Sequence, residues 1–241
     1  MIVRSELKEK AKAAFKANYW KCVLVAFIFS LVVGGTTAAS GNTTVENANN
    51  ATNTEGVAEL NQAIQQDPQV LAIILGILFT IILIVVVVST VVDVFITNPL
   101  QMGCMSFFLK NADDPNTGVD EIKRGFTPNY KRNVKALFLK DLKILLWSLL
   151  LIVPGIMKAY SYALVPYILA EDPDITAADA LAKSEAMMTG HRKEAFVLDL
   201  SFILWYLLGV VTLGIGYVLY VGPYTTATDA EFYKAVKELA E

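Results

Sequence analysis

The sequence predicts an all-α, polytopic membrane protein in which six transmembrane helices form three hairpins, with amphipathic interfacial helices between them. Of the 241 residues, 55% are hydrophobic and only 18% are charged, whereas soluble domains carry about 25% charged residues. The apolar residues gather in blocks, and a block of about 20 residues is long enough to cross the hydrocarbon core of a bilayer. Basic residues gather in alternate connecting segments, which is typical of multi-pass membrane proteins.

Six apolar blocks are the predicted spans. Two of them lie in residues 142–171 and are joined by a tight turn at Pro154-Gly155. The spans are Tyr19–Ala39, Val70–Ile96, 134–153, Gly155–Ala170, Ala195–Gly209 and a last one that starts at Leu213–Pro223 and continues as a helix toward Lys237. The small residues that end the first span also suit a cleaved signal peptide, but the long helical leader before it argues against cleavage.

Basic residues indicate the orientation. Nearly all Lys and Arg lie in the N-terminal segment, 109–135, 171–194 and the C-terminus, whereas 40–69, 153–155 and 209–213 contain none. Because positively charged loops stay in the cytoplasm, we expect both termini there and an extracytoplasmic, variable loop at 40–69 with a short helix at 56–66. A five-span alternative, with 142–170 as one kinked helix, would place Arg192 and Lys193 on the other side. The charges therefore favour one six-span membrane domain over residues 1–241.

An amphipathic, basic segment precedes each predicted hairpin. In residues 4–18, Leu7, Ala11, Ala14 and Phe15 share one face and lysines cover the rest. This pattern suits either a solvated cytoplasmic helix or a helix that lies on anionic lipid, and its position directly before a span favours lipid. The other two segments are short helices at Val119–Phe126 and Ala177–Thr189. Thr176 and Asp179 are placed to cap the latter helix.

A proline recurs in the second helix of each predicted hairpin. The three tripeptides are Asn98-Pro99-Leu100, Val165-Pro166-Tyr167 and Gly222-Pro223-Tyr224, and each is followed at the same offset by Gly103, Ala170 or Ala227. Prolines are tolerated in membrane helices because neighbouring groups satisfy the freed carbonyl, so the match can also arise by chance. The agreement of leader, hairpin and proline favours a threefold repeat with kinks at Pro99, Pro166 and Pro223.

Three stretches carry a family likeness: RSELKEKAKAAFKANYWK at the start, VPGIMKAYSYALVPYILAEDPDIT in the centre, and the end from Ser184 to Tyr233. They resemble a family of bacterial multi-pass integral membrane proteins that is known only as a domain of unknown function. The likeness covers nearly the whole chain outside 40–69. It implies a protein of the bacterial cytoplasmic membrane and supplies no activity. More distantly, the hairpin plan is similar to the membrane domain of some glycerophosphodiester phosphodiesterases, whose metal-site residues have no counterparts here.

Ionisable groups inside the predicted spans are the candidate functional residues, because such groups are costly in a bilayer. They are Asp93, Lys140, Lys143, Lys158 and Asp199. Lys140 and Lys143 lie near the inner interface, and Lys158 lies close enough to the outer turn to extend outward. Asp199 is five residues into its span, so we expect it to face other helices or a wet cavity. The expected partner is a lysine of the third span, and the hydroxyls of Ser201 and Tyr162 are the alternatives.

No motif for catalysis, metal binding or phosphate binding is found. The sequence has one histidine, His191, and two cysteines, Cys22 and Cys104, so we expect no cofactor, no metal, no enzyme activity and no nucleic-acid partner. The pattern favours a non-enzymatic membrane protein that organises lipid or a partner, either another membrane protein or a second copy of the chain. A small-solute transporter or channel subunit that uses the intramembrane carboxylates Asp93 and Asp199 is the alternative.

The predicted orientation is tested by cysteine labelling in a variant that lacks Cys22 and Cys104. A single cysteine placed in 42–66 should react with an impermeant thiol reagent added outside intact cells. A cysteine at 113–120 or 174–178 should react only after the membrane is opened, because those segments are expected in the cytoplasm. External labelling at 174–178 would rule out the six-span arrangement.

Overall fold

The computed structural model describes residues 2–38, 62, 68–126 and 129–240, and every regular element in these ranges is a helix. The chain divides into two compact units, Val32–Asp93 and the remainder, Met1–Leu31 with Val94–Glu241. The predicted loop at 40–69 and its short helix lie outside the described residues, apart from Gln62 and the first residues of the helix that begins at Pro68.

The helices that the structure assigns are numbered in chain order. They are α1 Arg4–Ala17, α2 Tyr19–Ala38, α3 Pro68–Val92, α4 Asn98–Asn111, α5 Tyr130–Leu150, α6 Ile152–Ser161, α7 Val165–Glu171, α8 Ala177–Met187, α9 Arg192–Leu200, α10 Ile203–Val211 and α11 Gly222–Ala240. A 3₁₀ helix at Val119–Gly125 precedes α5, and two π-helices, Asp93–Thr97 and Tyr217–Val221, precede α4 and α11.

The smaller unit contains α3, a helix of 25 residues without a charged side chain. At about 1.5 Å per residue it is roughly 37 Å long, more than the ~30 Å hydrocarbon core. Its large apolar side chains are exposed, Phe79 and Ile73 among them. Exposure of so many apolar side chains along one helix is what contact with lipid requires.

Three helical stretches in the described residues are long and apolar enough to cross a membrane: Gln69–Asn111, Ile152–Glu171 and Arg192–Val211. A shorter apolar helix covers Tyr19–Ser30. They coincide with the predicted second, fourth and fifth spans, so the structure is consistent with a membrane protein. Helix α5, the predicted third span, is continuous over 21 residues, but its charged first half keeps it out of this set.

The break between the third and fourth predicted spans is at Leu151, which is extended with φ −158° and ψ 144°. The predicted turn at Pro154-Gly155 was therefore placed three residues too late. Pro154 lies instead in the first turn of α6, where its missing N–H costs no helical hydrogen bond. A Cβ on Gly155 would lie 2.2 Å from Ser148 Oγ, so glycine is what lets α6 fold back closely on α5.

The three helices that begin with the repeated prolines, α4, α7 and α11, pack on one another in the larger unit. The Tyr167 ring of α7 stacks on the Tyr233 ring of α11, with centroids 5.2 Å apart. Lys234 Nζ pairs with Asp113 Oδ1 at 2.5 Å, and Lys237 Nζ pairs with Glu171 Oε2 at 2.7 Å. Stacking in the interior and ion pairs at the ends hold these helices together.

Each amphipathic leader covers one of these proline helices. Helix α1 packs on α11, the 3₁₀ helix packs on α4, and α8 packs on α7. Leu7, Ala11 and Phe15 of α1 are buried, so the stripe contacts protein, which corrects the prediction that it lies on lipid. The predicted cap of α8 is confirmed, because Thr176 Oγ1 accepts a hydrogen bond from the Asp179 N–H at 3.2 Å.

Each repeated proline is the second residue of an α-helix. The π-helix Asp93–Thr97 directly precedes the helix of Pro99 and the π-helix Tyr217–Val221 directly precedes the helix of Pro223, whereas a turn at 162–164 precedes the helix of Pro166. A proline lacks the N–H that an α-helix directs to the carbonyl four residues earlier. The carbonyls concerned belong to Phe95, Leu219 and Tyr162.

Neighbouring groups donate hydrogen bonds to all three carbonyls. Tyr130 Oη donates to the Phe95 carbonyl at 2.7 Å, and Tyr19 Oη donates to the Leu219 carbonyl at 3.2 Å. The Tyr162 carbonyl accepts from the Val165 N–H at 3.3 Å. Tyr130 and Tyr19 are the first residues of α5 and α2. The same group, a tyrosine hydroxyl at the start of a helix, therefore hydrogen-bonds to the freed carbonyl before Pro99 and before Pro223.

Removing either tyrosine hydroxyl should destabilise the fold without disturbing the packing of its ring. Tyr130→Phe and Tyr19→Phe should each lower the free energy of unfolding by about 1 kcal/mol, the usual value of one hydrogen bond. The measurement is the melting temperature of the purified protein in detergent. Tyr217→Phe, which retains the ring contact with Tyr206, is the control, and melting temperatures of all three variants equal to wild type would contradict this role.

Candidate functional site

The larger unit encloses a cavity of about 330 Å³ between α4, α5, α6, α7, α9 and α11. Its apolar walls include Met105, Ile144, Leu198 and Phe232. Polar side chains also line it: Gln101, Lys140, Tyr160, Tyr162, Tyr167, Asp199 and Asp229. Small-molecule sites have this character, with mostly apolar walls and a few convergent polar groups.

Asp199 lies near the end of α9, next to the buried Leu198. Tyr160 Oη of α6 donates a hydrogen bond to Asp199 Oδ2 at 2.7 Å. The Phe196 ring meets the Tyr160 ring edge-on with centroids 6.1 Å apart, which fixes the tyrosine. Asp199 is therefore hydrogen-bonded to another helix, but the residue is exposed. The predicted partner was wrong, because the hydrogen bond comes from a tyrosine of α6 and not from a lysine of α5.

Lys140 and Lys143 of α5 have other partners. Lys140 Nζ pairs with Asp141 Oδ1 at 3.3 Å, and Asp141 Oδ2 also accepts a hydrogen bond from Asn98 Nδ2 of α4 at 2.6 Å. Lys143 Nζ lies 5.5 Å from the centre of the Tyr162 ring. Lys140 still lines the cavity, so one cation reaches the site with its charge largely balanced by Asp141.

Asp229 of α11 is a second carboxylate in the cavity, and the sequence interpretation did not single it out. It lies six residues beyond Pro223, in a helix whose neighbouring residues Thr228 and Ala230 are buried. Asp229 itself is partly buried. The sequence signal was its spacing, because Phe232, Tyr233 and Val236 lie three, four and seven residues later on the same face of the helix.

Tyr167 lacks a hydrogen-bond partner for its hydroxyl. The residue is 2% exposed, lines the cavity, and its Oη finds no partner among the described residues. Buried polar groups are nearly always hydrogen-bonded to protein or to ordered water. The hydroxyl is therefore available to hydrogen-bond with water or with a solute in the cavity.

The remaining predicted residues lie elsewhere. Asp93 is the first residue of a π-helix and does not line this cavity. Lys158 does not extend outward as predicted, because its ammonium pairs with Glu185 of α8 and lies 5.5 Å from the ring centres of Trp147 and Tyr162. The hydrogen bond from Lys158 lowers the pKa of Glu185. Lys158 thus ties α6 to α8.

The charges and rings of the cavity suit a small organic cation. Two carboxylates, Asp199 and Asp229, face a single lysine that already pairs with Asp141. Tyrosine rings attract cations through their electron-rich faces, and Tyr160, Tyr162 and Tyr167 surround the same space. Among the described residues, no group of three or more His, Cys, Asp or Glu side chains could hold a metal ion.

Comparisons with known proteins find one similarity. Residues 144–240 match a family described as "Protein of unknown function (DUF975)". The match includes Tyr160, Tyr167, Asp199 and Asp229. No curated protein matches the chain, and no solved structure matches it.

Proposed function

We propose that this chain is a non-enzymatic protein of the bacterial cytoplasmic membrane that binds a small organic cation in the Asp199–Asp229 cavity, as a component of solute passage. The observation that carries the proposal is the unpartnered hydroxyl of Tyr167 in a cavity that also contains two carboxylates. A cationic solute with a hydrogen-bonding group would neutralise the carboxylates and satisfy the hydroxyl. A cavity of about 330 Å³ is at the lower end of the range for small-ligand sites.

The proposed arrangement has six spans, three hairpins and both termini in the cytoplasm. Support comes from the packing of α1, the 3₁₀ helix and α8 on α11, α4 and α7, which gives each leader the same kind of partner. The hydrogen bonds from Tyr19 and Tyr130 to the carbonyls before Pro223 and Pro99 repeat the relation in detail. Transporters commonly place solute sites where broken helices from structural repeats meet, and the cavity adjoins the turn at 162–164.

The second candidate function is organisation of lipid or of a partner, either another membrane protein or a second copy of the chain. Large apolar side chains are exposed where α5 meets α6 and beyond α10, with Leu149 83% and Leu213 92% exposed. Such exposure requires a covering of lipid or of another apolar surface. It accompanies any membrane protein, so it supports this candidate less strongly than the cavity supports solute binding.

Binding of organic cations to the purified protein tests the proposed function. Choline, ethanolamine and putrescine are the cationic probes, and succinate and glycerol are the anionic and neutral ones. A probe at 100 times its dissociation constant stabilises the folded state by about 2.7 kcal/mol, which raises the melting temperature by several degrees. At least one cation should do so for wild type, and the anion and the neutral probe should not.

Variants of the cavity show where a bound cation lies. Asp199→Asn and Asp229→Asn should each remove the thermal shift, whereas Asp174→Asn should leave it unchanged. Stabilisation by succinate instead of a cation, or a cation shift that survives both cavity substitutions, would contradict the proposed site.

A further inference from the structure

A second cavity, an open groove of about 520 Å³, lies between α6 and the beginning of α9. Its walls include Ile156 and Met157 of α6 and Phe196 of α9. Arg192 and Lys193 stand at the start of α9, and Tyr160 separates this groove from the Asp199–Asp229 cavity, since its side chain lines both. The groove thus has an apolar wall and a cationic end.

The apolar wall is open. Ile156, Met157 and Phe196 are each 50% exposed, and they belong to Ile152–Glu171 and Arg192–Val211, two of the helices that can cross a membrane. Water would be an unfavourable neighbour for three large apolar side chains side by side. An acyl chain is the neighbour that a membrane supplies.

The cationic end retains charge for a ligand. Two carboxylates lie near it, but Glu185 is held by Lys158 and Glu194 by His191 at 2.8 Å. Neither Arg192 nor Lys193 has an ion pair within the described residues, and Arg192 Nε is buried there without a hydrogen-bond partner. Arg192 also lowers the pKa of Glu185 through its charge, but this carboxylate pairs with Lys158 and not with the guanidinium.

We propose that the groove binds an anionic glycerophospholipid, with the phosphate on Arg192 and Lys193 and an acyl chain along Ile156, Met157 and Phe196. Arginine is suited to phosphate because its planar guanidinium donates two parallel hydrogen bonds. The apolar wall begins directly beside these cations, as it must for a lipid that carries its phosphate at one end of its chains. This lipid site is separate from the cation site and does not depend on it.

The experiment measures how much phosphatidylglycerol the purified protein retains in mixed micelles, counted by native mass spectrometry and titrated against phosphatidylcholine. Wild type should bind phosphatidylglycerol more tightly than phosphatidylcholine. The double variant Arg192→Gln/Lys193→Gln should weaken phosphatidylglycerol binding by about tenfold or more, since two charge-assisted hydrogen bonds are lost. The matched control Lys12→Gln/Lys16→Gln removes two exposed lysines of α1 and should leave binding unchanged.

Further arms separate the lipid from other occupants. Met157→Ser should weaken phosphatidylglycerol binding while leaving the melting temperature of the lipid-free protein near that of wild type. Glycerol 3-phosphate should not compete at concentrations at which phosphatidylglycerol saturates, and Asp229→Asn should bind the lipid normally. Four results would each overturn the proposal. The first two are equal retention of the two lipids, and an effect of the control variant as large as that of Arg192→Gln/Lys193→Gln. The other two are displacement of phosphatidylglycerol by glycerol 3-phosphate, and displacement of phosphatidylglycerol by an acidic peptide.

Discussion

The need of a membrane helix to satisfy its own backbone hydrogen bonds is the constraint on which much of this structure depends. Pro99, Pro166 and Pro223 each remove one donor from a helix. The chain has a π-helix before Pro99 and before Pro223 and a turn at 162–164 before Pro166. Hydroxyl groups of Tyr130 and Tyr19 then reach the carbonyls of Phe95 and Leu219 from other helices. These two hydrogen bonds therefore also join helices that are distant in sequence.

The candidate site follows from the same constraint. Because the helix is interrupted at 162–164, Tyr160, Tyr162 and Tyr167 line one cavity from different sides. A continuous helix would distribute these three side chains along its length. Asp199 and Asp229 face that space from α9 and α11. Charged and polar groups inside a membrane protein are costly unless they are hydrogen-bonded or functional. The Asp199–Tyr160 hydrogen bond meets this requirement for one carboxylate, and the Tyr167 hydroxyl remains for a ligand.

Local patterns predicted the helices well, because hydrophobic periodicity and capping depend on neighbouring residues. The buried face of α1 and the cap of α8 both came from such patterns. The break at Leu151, the Lys158–Glu185 pair, the exposure of Asp199 and the place of Asp229 in the cavity did not, since each depends on which distant element covers a given face. Periodicity shows that Leu7, Ala11 and Phe15 share a face, but it cannot distinguish lipid from α11 as the partner of that face.

The packing of α1 on α11 has a consequence for the order in which the chain folds. Helix α1 is covered by α11, which comes far later in the chain, so most of the residues between them must be synthesised before the two helices meet. Until then the apolar stripe of α1 lacks its main protein partner, and closure of this long loop opposes its docking. During synthesis this amphipathic helix thus stays partly unburied, in a form that membrane surfaces and chaperones can bind. Synthesis of α11 is the event that removes α1 from them.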